Sequence, residues 1–481
     1  MKHIITLSLL LGVSIGAFAD VSLDSCRNMA LRNNKLIRMA QENLHGASQL
    51  KDAARAAYLP GIDFTGTYFY NQRIINLLGE DAKLPTMSFD PTTMSYQYNI
   101  VKGSDGKPVT NPETGGYIPS EIAVIPKEAM SYDIHNVFAG AFTLTQPVYM
   151  GGQIRALNKI AGFGEKIAAA MSNEVAQNII YSVDEAYWTV VSLKEKKLLA
   201  ESFVSLTDSL CNNVKLMLEE GVATRSDLLS VEVRVNEANI ALAKVTNGLT
   251  LSRMALAQIC GLEPDTKMQL SDEVAHLPSN SASSTLYSSS SPDLQDVYSR
   301  RQDLEIVRQS INLLKSREDL SLSELLPKIA VVGAYSFSNP NLIDGFKKRF
   351  GGGFSVGAML QIPIWHWGGD YKRFKAAQSN TKAQRLLLED LEEKVQLQVN
   401  QARYSLDEAE KTFKMASVNM TKAEENLRQA QLGFSEGMLT TSDVLAAQTA
   451  WLAANSEKID AEIGIRLANT YLSKVLGTLP Y

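Results

Sequence analysis

"EGVATRSDLL" occupies residues 220–229 and "EGMLTTSDVL" residues 436–445, so one chain carries nearly the same ten residues twice, 216 positions apart. In each, a glycine (Gly221, Gly437) ends a helical pattern, where left-handed backbone closes a helix. Three residues on, Thr224 and Thr440 sit where a hydroxyl accepts from the first free N–H groups of a new helix. Asp227 and Asp443 complete a T-x-x-D capping box. Each Asp also lies in a first helical turn, where the helix dipole favours negative charge. Each decamer therefore reads as the tip of an antiparallel helical hairpin. A single such turn would be an ordinary stop and start; two at matching places call for an explanation on the scale of the chain.

The correspondence extends outward. "LPGIDFTGTYFY" from Leu59 resembles "LPKIAVVGAYSF" from Leu326, matching Pro60 with Pro327, Gly66 with Gly333 and Tyr68 with Tyr335. "FAGAFTLTQPV" from Phe138 answers "FSVGAMLQIPI" from Phe354, with Pro147 opposite Pro363. Pro147 to Pro264 and Pro363 to Pro480 each span 117 positions without an intervening proline. This is the signature of an internal duplication. It divides the chain into a first repeat (20–277), a serine-rich linker "PSNSASSTLYSSSSP" (278–292) with no material for a core, and a second repeat (293–481).

Each repeat has one order: a helical segment (22–58, 293–325), two short strands, then a long helical hairpin (152–262, 369–476). The strands are expected near 61–70 and 137–147, and near 328–338 and 353–363. In them apolar residues such as Ile62, Phe64 and Tyr68 alternate with Asp63, Thr65 and Thr67. About ten residues is the length a tilted membrane-spanning strand needs. Pro60 and Pro327 fit a helix stopping where a strand begins. The long segments 152–219 and 369–435 space apolar residues three and four apart, as in Ile160, Phe163, Ile167 and Met171. A helix of that length would run roughly 100 Å. Residues 71–136, rich in Pro, Gly, Asn and Thr, read as an irregular loop 51 residues longer than its counterpart between Phe337 and Phe354. Between membrane strands such a loop belongs on the outer side.

"MKHIITLSLLLGVSIGAFAD" opens the chain, with a basic start, an apolar run and the small-x-small pattern Ala17-Phe18-Ala19. It predicts a secretory signal over 1–19 and an exported product. Beyond it no run of about 18 apolar residues predicts a transmembrane helix. A formal net charge of −5 argues against a nucleic-acid partner. Three cysteines cannot make a disulfide framework, and their spacings match no metal motif. His45, His135, His276 and His366 are scattered, and no HExxH or G-x-S-x-G motif is present. Gly351-Gly352-Gly353 lacks the Lys-Ser/Thr of a phosphate loop. The chain is expected to be no enzyme and to bind no cofactor or metal. Trp365 and Trp367, after the fourth strand, read as an aromatic belt at a membrane interface, where indoles are favoured, with ordinary packing at a strand–helix junction as the alternative. Arg155, Lys159, Lys372 and Arg373 read equally as a solvated helix face or as headgroup contacts.

Four strands cannot close a membrane barrel, whose smallest known form has eight, and lipid does not tolerate open sheet edges. Three copies would supply twelve. At this point the residues resemble a family: tandem halves, Leu-Pro strand starts, "GG" pairs before the long helices (Gly151-Gly152, Gly368-Gly369) and G-x-x-T-x-x-D tips are similar to TolC-like outer-membrane efflux proteins over nearly the whole mature chain. The resemblance implies an α+β membrane protein, a homotrimer with a 12-stranded β-barrel continuous with a periplasmic α-helical coiled-coil barrel. It implies the outer-membrane exit duct of a tripartite efflux or type I secretion system of a Gram-negative cell. A periplasmic adaptor, joined to an inner-membrane pump, would dock at a tip formed by Gly221, Thr224, Asp227, Gly437, Thr440 and Asp443. Positions where the family holds its entrance shut by polar links carry Phe434 and Leu439 here, so Arg225, beside Asp227, is the candidate substitute in the gate. The rival reading is a periplasmic coiled-coil adaptor without a pore; two hairpins and four amphipathic strands count against it. A tube without a pocket leaves the cargo unspecified.

Overall fold

The computed structural model describes residues 21–266, 268–274, 293–341 and 344–479; the expected signal sequence and the serine-rich linker lie outside them. Along the chain come α1 (Leu23–Asn33), α2 (Lys35–Ala56) and β1 (Gly61–Tyr70). Six short strands follow: β2 (Ile75–Asn76), β3 (Ala82–Pro85), β4 (Met87–Asp90), β5 (Ser95–Tyr98), β6 (Ile122–Ile125) and β7 (Ser131–Tyr132). Then come β8 (Asn136–Met150), α3 (Gln153–Glu219), α4 (Arg225–Ile259) and a single turn, α5 (Ser271–Val274). The remainder is α6 (Leu294–Arg300), α7 (Gln302–Ser323), β9 (Lys328–Asn339), β10 (Gly351–Gln361), α8 (Gly369–Ser435) and α9 (Thr441–Val475).

Element lengths match in pairs. α3 and α8 are each 67 residues and α4 and α9 each 35, and the later member starts 216 residues after the earlier. α2 and α7 are each 22 residues, 267 apart. The difference is the extra length between β1 and β8. The constant offset alters one alignment made from sequence. Gly369 is the first residue of α8, not a turn glycine, and the left-handed pair Gly151-Gly152 (φ +62° and +87°) corresponds to Trp367-Gly368 (φ +53° and +73°). A tryptophan stands where the first half uses glycine.

Among the described residues two compact units result, one formed by Arg55–Ile154 with Leu320–Tyr371, the other by the remaining described residues. In the first, β1, β8, β9 and β10 form an antiparallel sheet in that order, so β1 and β10 are its edges. The register aligns Phe64, Phe142, Tyr335 and Phe354 in one row across all four strands. Because side chains alternate between faces, Ile62, Tyr68, Phe138, Leu144, Phe337 and Val356 share that face, and Asp63, Thr65, Thr67, Thr143, Ser336 and Ser355 share the other. Phe64 and Tyr68 pack as tilted rings against Phe142 and Phe138, with centroids 4.8 Å apart. Gly140 and Gly352 flank Phe337 in its row, and a Cβ at Gly140 would lie 2.6 Å from the Phe337 ring. The glycine is there because the ring lies over it. Pro147, which cannot donate to the ladder, sits at a bulge in β8.

The 71–136 stretch is not the irregular loop expected. β2 pairs with β7, β3 with β6 and β4 with β5, making a ribbon that runs on from β1 and β8. Its strands are two to four residues long, too short for alternation to reveal.

In the helical unit each expected first helix is broken once, at Asn34 and at Arg301, which hold extended backbone. The breaks do the same work. Asn34 Nδ2 donates to the Ile259 carbonyl at 2.8 Å, and an Arg301 guanidinium nitrogen donates to the Val475 carbonyl at 3.1 Å. Each break thus caps the last residue of a return helix, whose carbonyls have no partner within the helix. Around the first, Cys26, Ala30, Ile37, Val183, Tyr187, Leu256 and Cys260 form a buried core. Around the second, Val297, Leu304, Val395, Val399, Leu472 and Leu476 do so. Arg27 also holds the fully buried carboxylate of Asp184 through two bonds of 2.7 and 2.6 Å.

Candidate functional site

The hairpin tips are built as the sequence suggests and nearly identically. The Gly221 N–H donates to the Leu218 carbonyl at 3.0 Å and the Val222 N–H to Met217 at 2.8 Å; at the second tip Gly437 donates to Phe434 at 3.1 Å and Met438 to Gly433 at 2.8 Å. This is the glycine closure that satisfies the last carbonyls of a helix, and φ is +75° at Gly221 and +72° at Gly437. The next helix then starts with a reciprocal box. The Asp227 N–H donates to Thr224 Oγ1 at 3.2 Å while the Thr224 N–H and hydroxyl donate to Asp227 Oδ2 at 2.9 and 2.6 Å. The corresponding distances at Thr440 and Asp443 are 3.3, 2.9 and 2.7 Å. These hydroxyl and N–H donors hold both carboxyls below the usual carboxylate range.

Beyond its own chain neighbours, no atom of the described residues comes within 4 Å of a Cβ built at Gly221 or Gly437. Beside them Val222 is 72% and Met438 76% exposed. Sequence reasoning missed these two side chains, although an apolar residue directly after a closing glycine was visible in both decamers. That residue commonly packs back on the helix it ends; here it stands in solvent.

The hairpins pack on one another through Leu210, Val214, Leu228, Val231 and Val444. Phe434 packs against this cluster, and Leu439 folds over Gly433, where a Cβ would meet it at 2.8 Å. Neither makes the tip polar. Arg225, the first residue of α4, is exposed, and the Asp227 carboxylate beside it is engaged by Thr224. Between the hairpins lies a groove of about 760 Å³ lined by Leu210, Leu216, Met217, Val222, Phe434 and Gln448, among others. Gln448 is 1% exposed, and its Oε1 has no partner among the described residues.

In the strand unit Trp365 and Trp367 are 70% and 88% exposed with ring centroids 5.9 Å apart. His366 Nδ1 lies 2.5 Å from the carboxylate of Asp370, which is buried in the first turn of α8. Lys159 pairs with Asp319 at 3.3 Å. Among the described residues no group of three or more His, Cys, Asp or Glu side chains is placed to hold a metal ion.

The model of the family described as "Outer membrane efflux protein" matches residues 125–262 and 294–478, well over half of the chain. The chain belongs to the outer membrane efflux protein family. It is therefore a TolC-like channel protein of the outer membrane of Gram-negative bacteria. No curated protein matches it in sequence.

Solved structures share its fold at low identity. VceC from Vibrio cholerae is 13% identical with a TM-score of 0.68, covering 95% of this chain and 96% of that one. The CmeC outer membrane channel of Campylobacter jejuni is 14% identical with a TM-score of 0.70, over 95% and 85%. The open-state MtrE outer membrane channel of Neisseria gonorrhoeae is 15% identical with a TM-score of 0.69, over 96% and 92%. Among the described residues no helix of this efflux protein is long and apolar enough to cross a membrane.

Proposed function

We propose that this protein is the exit duct of a tripartite efflux or type I secretion system, working as a trimer whose twelve strands close a barrel in the outer membrane. One observation carries the reading: the sheet has an aromatic face left exposed, with Phe354 at 77% and Ile62 at 69%, and two unpaired edge strands. Neither feature is tolerable alone. Exposed apolar area of this extent marks a surface that lipid or protein covers, and unpaired strand edges are excluded from hydrocarbon. Three-fold closure removes both, joining β10 of one copy to β1 of the next and leaving Thr65, Thr67, Ser336 and Ser355 toward the lumen. The Trp365–Trp367 pair then lies in the headgroup layer, where indoles are favoured. The paired element lengths fit two tandem repeats with the boundaries given above.

The tips at Gly221 and Gly437 are the periplasmic mouth and the docking surface for a periplasmic adaptor that links the duct to an inner-membrane pump. Three copies present six near-equivalent capped turns. The open space at both glycines and the exposed Val222 and Met438 support this reading. Gly437→Trp together with Gly221→Trp tests it by complementation of a strain lacking the gene. The expected outcome is normal trimer abundance in the outer membrane with transport lost. Full transport at normal abundance would reduce the twin turns to helix caps.

A further inference from the structure

Two of the three cysteines meet. Cys26 on α1 and Cys260, the cap residue directly after α4, are both 0% exposed, and Cys260 Sγ lies 3.6 Å from the Cys26 carbonyl oxygen although 234 positions separate them. The Cys26 thiol is raised far above its ordinary range by its hydrogen bond to Cys260 and by burial, so it rests protonated. The bland account is that cysteine is a small apolar residue often found inside. The second half of the chain tests that account. At the matching offsets stand Asp293, exposed where α6 begins, and the buried Leu476, so the second junction closes without sulfur and without a contact between these two positions. Cys211, the third cysteine, lies elsewhere, against the cluster near the tips.

We propose that Cys26 and Cys260 form a disulfide that ties the first helix of the exported chain to the end of the first hairpin. An outer-membrane protein crosses a compartment where disulfides form and persist. The co-reactant is a protein or small-molecule disulfide, R–S–S–R. One cysteine thiolate attacks it and releases R–SH; the second then displaces the other RS group from the mixed disulfide. Two thiols are oxidised and one external disulfide is reduced to two thiols, with both protons leaving on R–SH. Both sulfurs are enclosed in the folded chain, so exchange precedes the docking of α1 on α3 and α4. Once docked, the bond is shielded from reductants. The loop it closes contains β1, β8 and the entire first hairpin, and a long loop is where a cross-link most restricts the unfolded chain.

Thiol counting on the full-length protein tests this. Outer membranes are quenched in acid, denatured and treated with a maleimide–polyethylene glycol, with and without prior reduction. All three cysteines are thiols in the structure; with the proposed bond formed, wild type takes one adduct per chain unreduced, at Cys211, and three after reduction. Cys26→Ser and Cys260→Ser should each take two adducts without reduction. Three adducts on unreduced wild type would overturn the proposal. Should either variant fail to accumulate, the wild-type protein still decides by peptide mass. A linked pair of peptides holding Cys26 and Cys260, two hydrogens lighter than the separate thiols, supports the bond, and a link through Cys211 contradicts it.

Discussion

Gly221 and Gly261 have the same backbone and different surroundings. Their φ values are +75° and +74°, so a side chain at either strains the chain by about 1–2 kcal/mol. At Gly221 that is the whole effect, because the space around it is open. At Gly261 a Cβ would lie 2.6 Å from the backbone carbonyl carbon of Asn33, which cannot move without opening the break between α1 and α2. Gly261→Ala should therefore lose a further amount of about 1–3 kcal/mol from overpacking. Thermal melting of the detergent-solubilised protein checks the pair: a small shift for Gly221→Ala and a large one for Gly261→Ala. Equal shifts would mean that the close approach at Asn33 is not what holds this junction. The contrast also marks what the sequence can disclose. Both glycines sit after helical patterns, but the capping boxes at Thr224 and Thr440 are closed by residues three apart and so are readable locally. The contact between Gly261 and Asn33 joins residues far apart in the chain, and no local pattern announces it. The pairing of Gly368-Gly369 with Gly151-Gly152 is off by one for a related reason: two adjacent glycines look like the natural turn, and only the start of α8 shows that Trp367 and Gly368 take the left-handed positions.

At the scale of elements, the junction near Arg301 carries a pH dependence. Burial pushes the Asp303 carboxyl up, but Arg301, bound to it at 3.0 and 2.6 Å, outweighs burial and holds it below its ordinary 3.8. The same guanidinium reaches Gln398 at 3.1 Å and the last carbonyl of α9. A carboxyl depressed in the folded state stabilises that state above the unfolded value, and the contribution disappears as pH falls through the folded value. The melting temperature should thus lose an increment below about pH 4, and Asp303→Asn should remove that increment while lowering stability at neutral pH. If the variant keeps the full acid sensitivity, the charge pair is not its source. On the first junction, Arg27→Ala leaves the Asp184 carboxylate buried without its main partner, a loss on the order of 3–5 kcal/mol. Melting in mild detergent at neutral pH measures it, and a loss under 1 kcal/mol would show water replacing the arginine. Long helices and ten-residue strands were legible because period and length are repeated many times within them. The breaks at Asn34 and Arg301 were not, since neither residue is a glycine or proline and each break is fixed by the return helix it caps.

For the whole molecule, the ribbon between β1 and β8 belongs outside the cell in this account, and the second half does without one. An epitope tag within the turn at Gly103–Gly106 of intact cells should be reached by antibody, with transport retained. Access only after the outer membrane is broken would invert the topology. The correspondence between the two halves was readable because two offsets, 216 and 267, recur across many residues. The need for closure was readable from the strand count, but one chain carries only a third of the proposed barrel, and its two free edges do not show what meets them. The most direct measurement is therefore the native mass of the protein extracted in mild detergent. The account predicts three chains per particle, with no folded species below that. A stable, folded single chain, its sheet edges unpaired in solution, would contradict it.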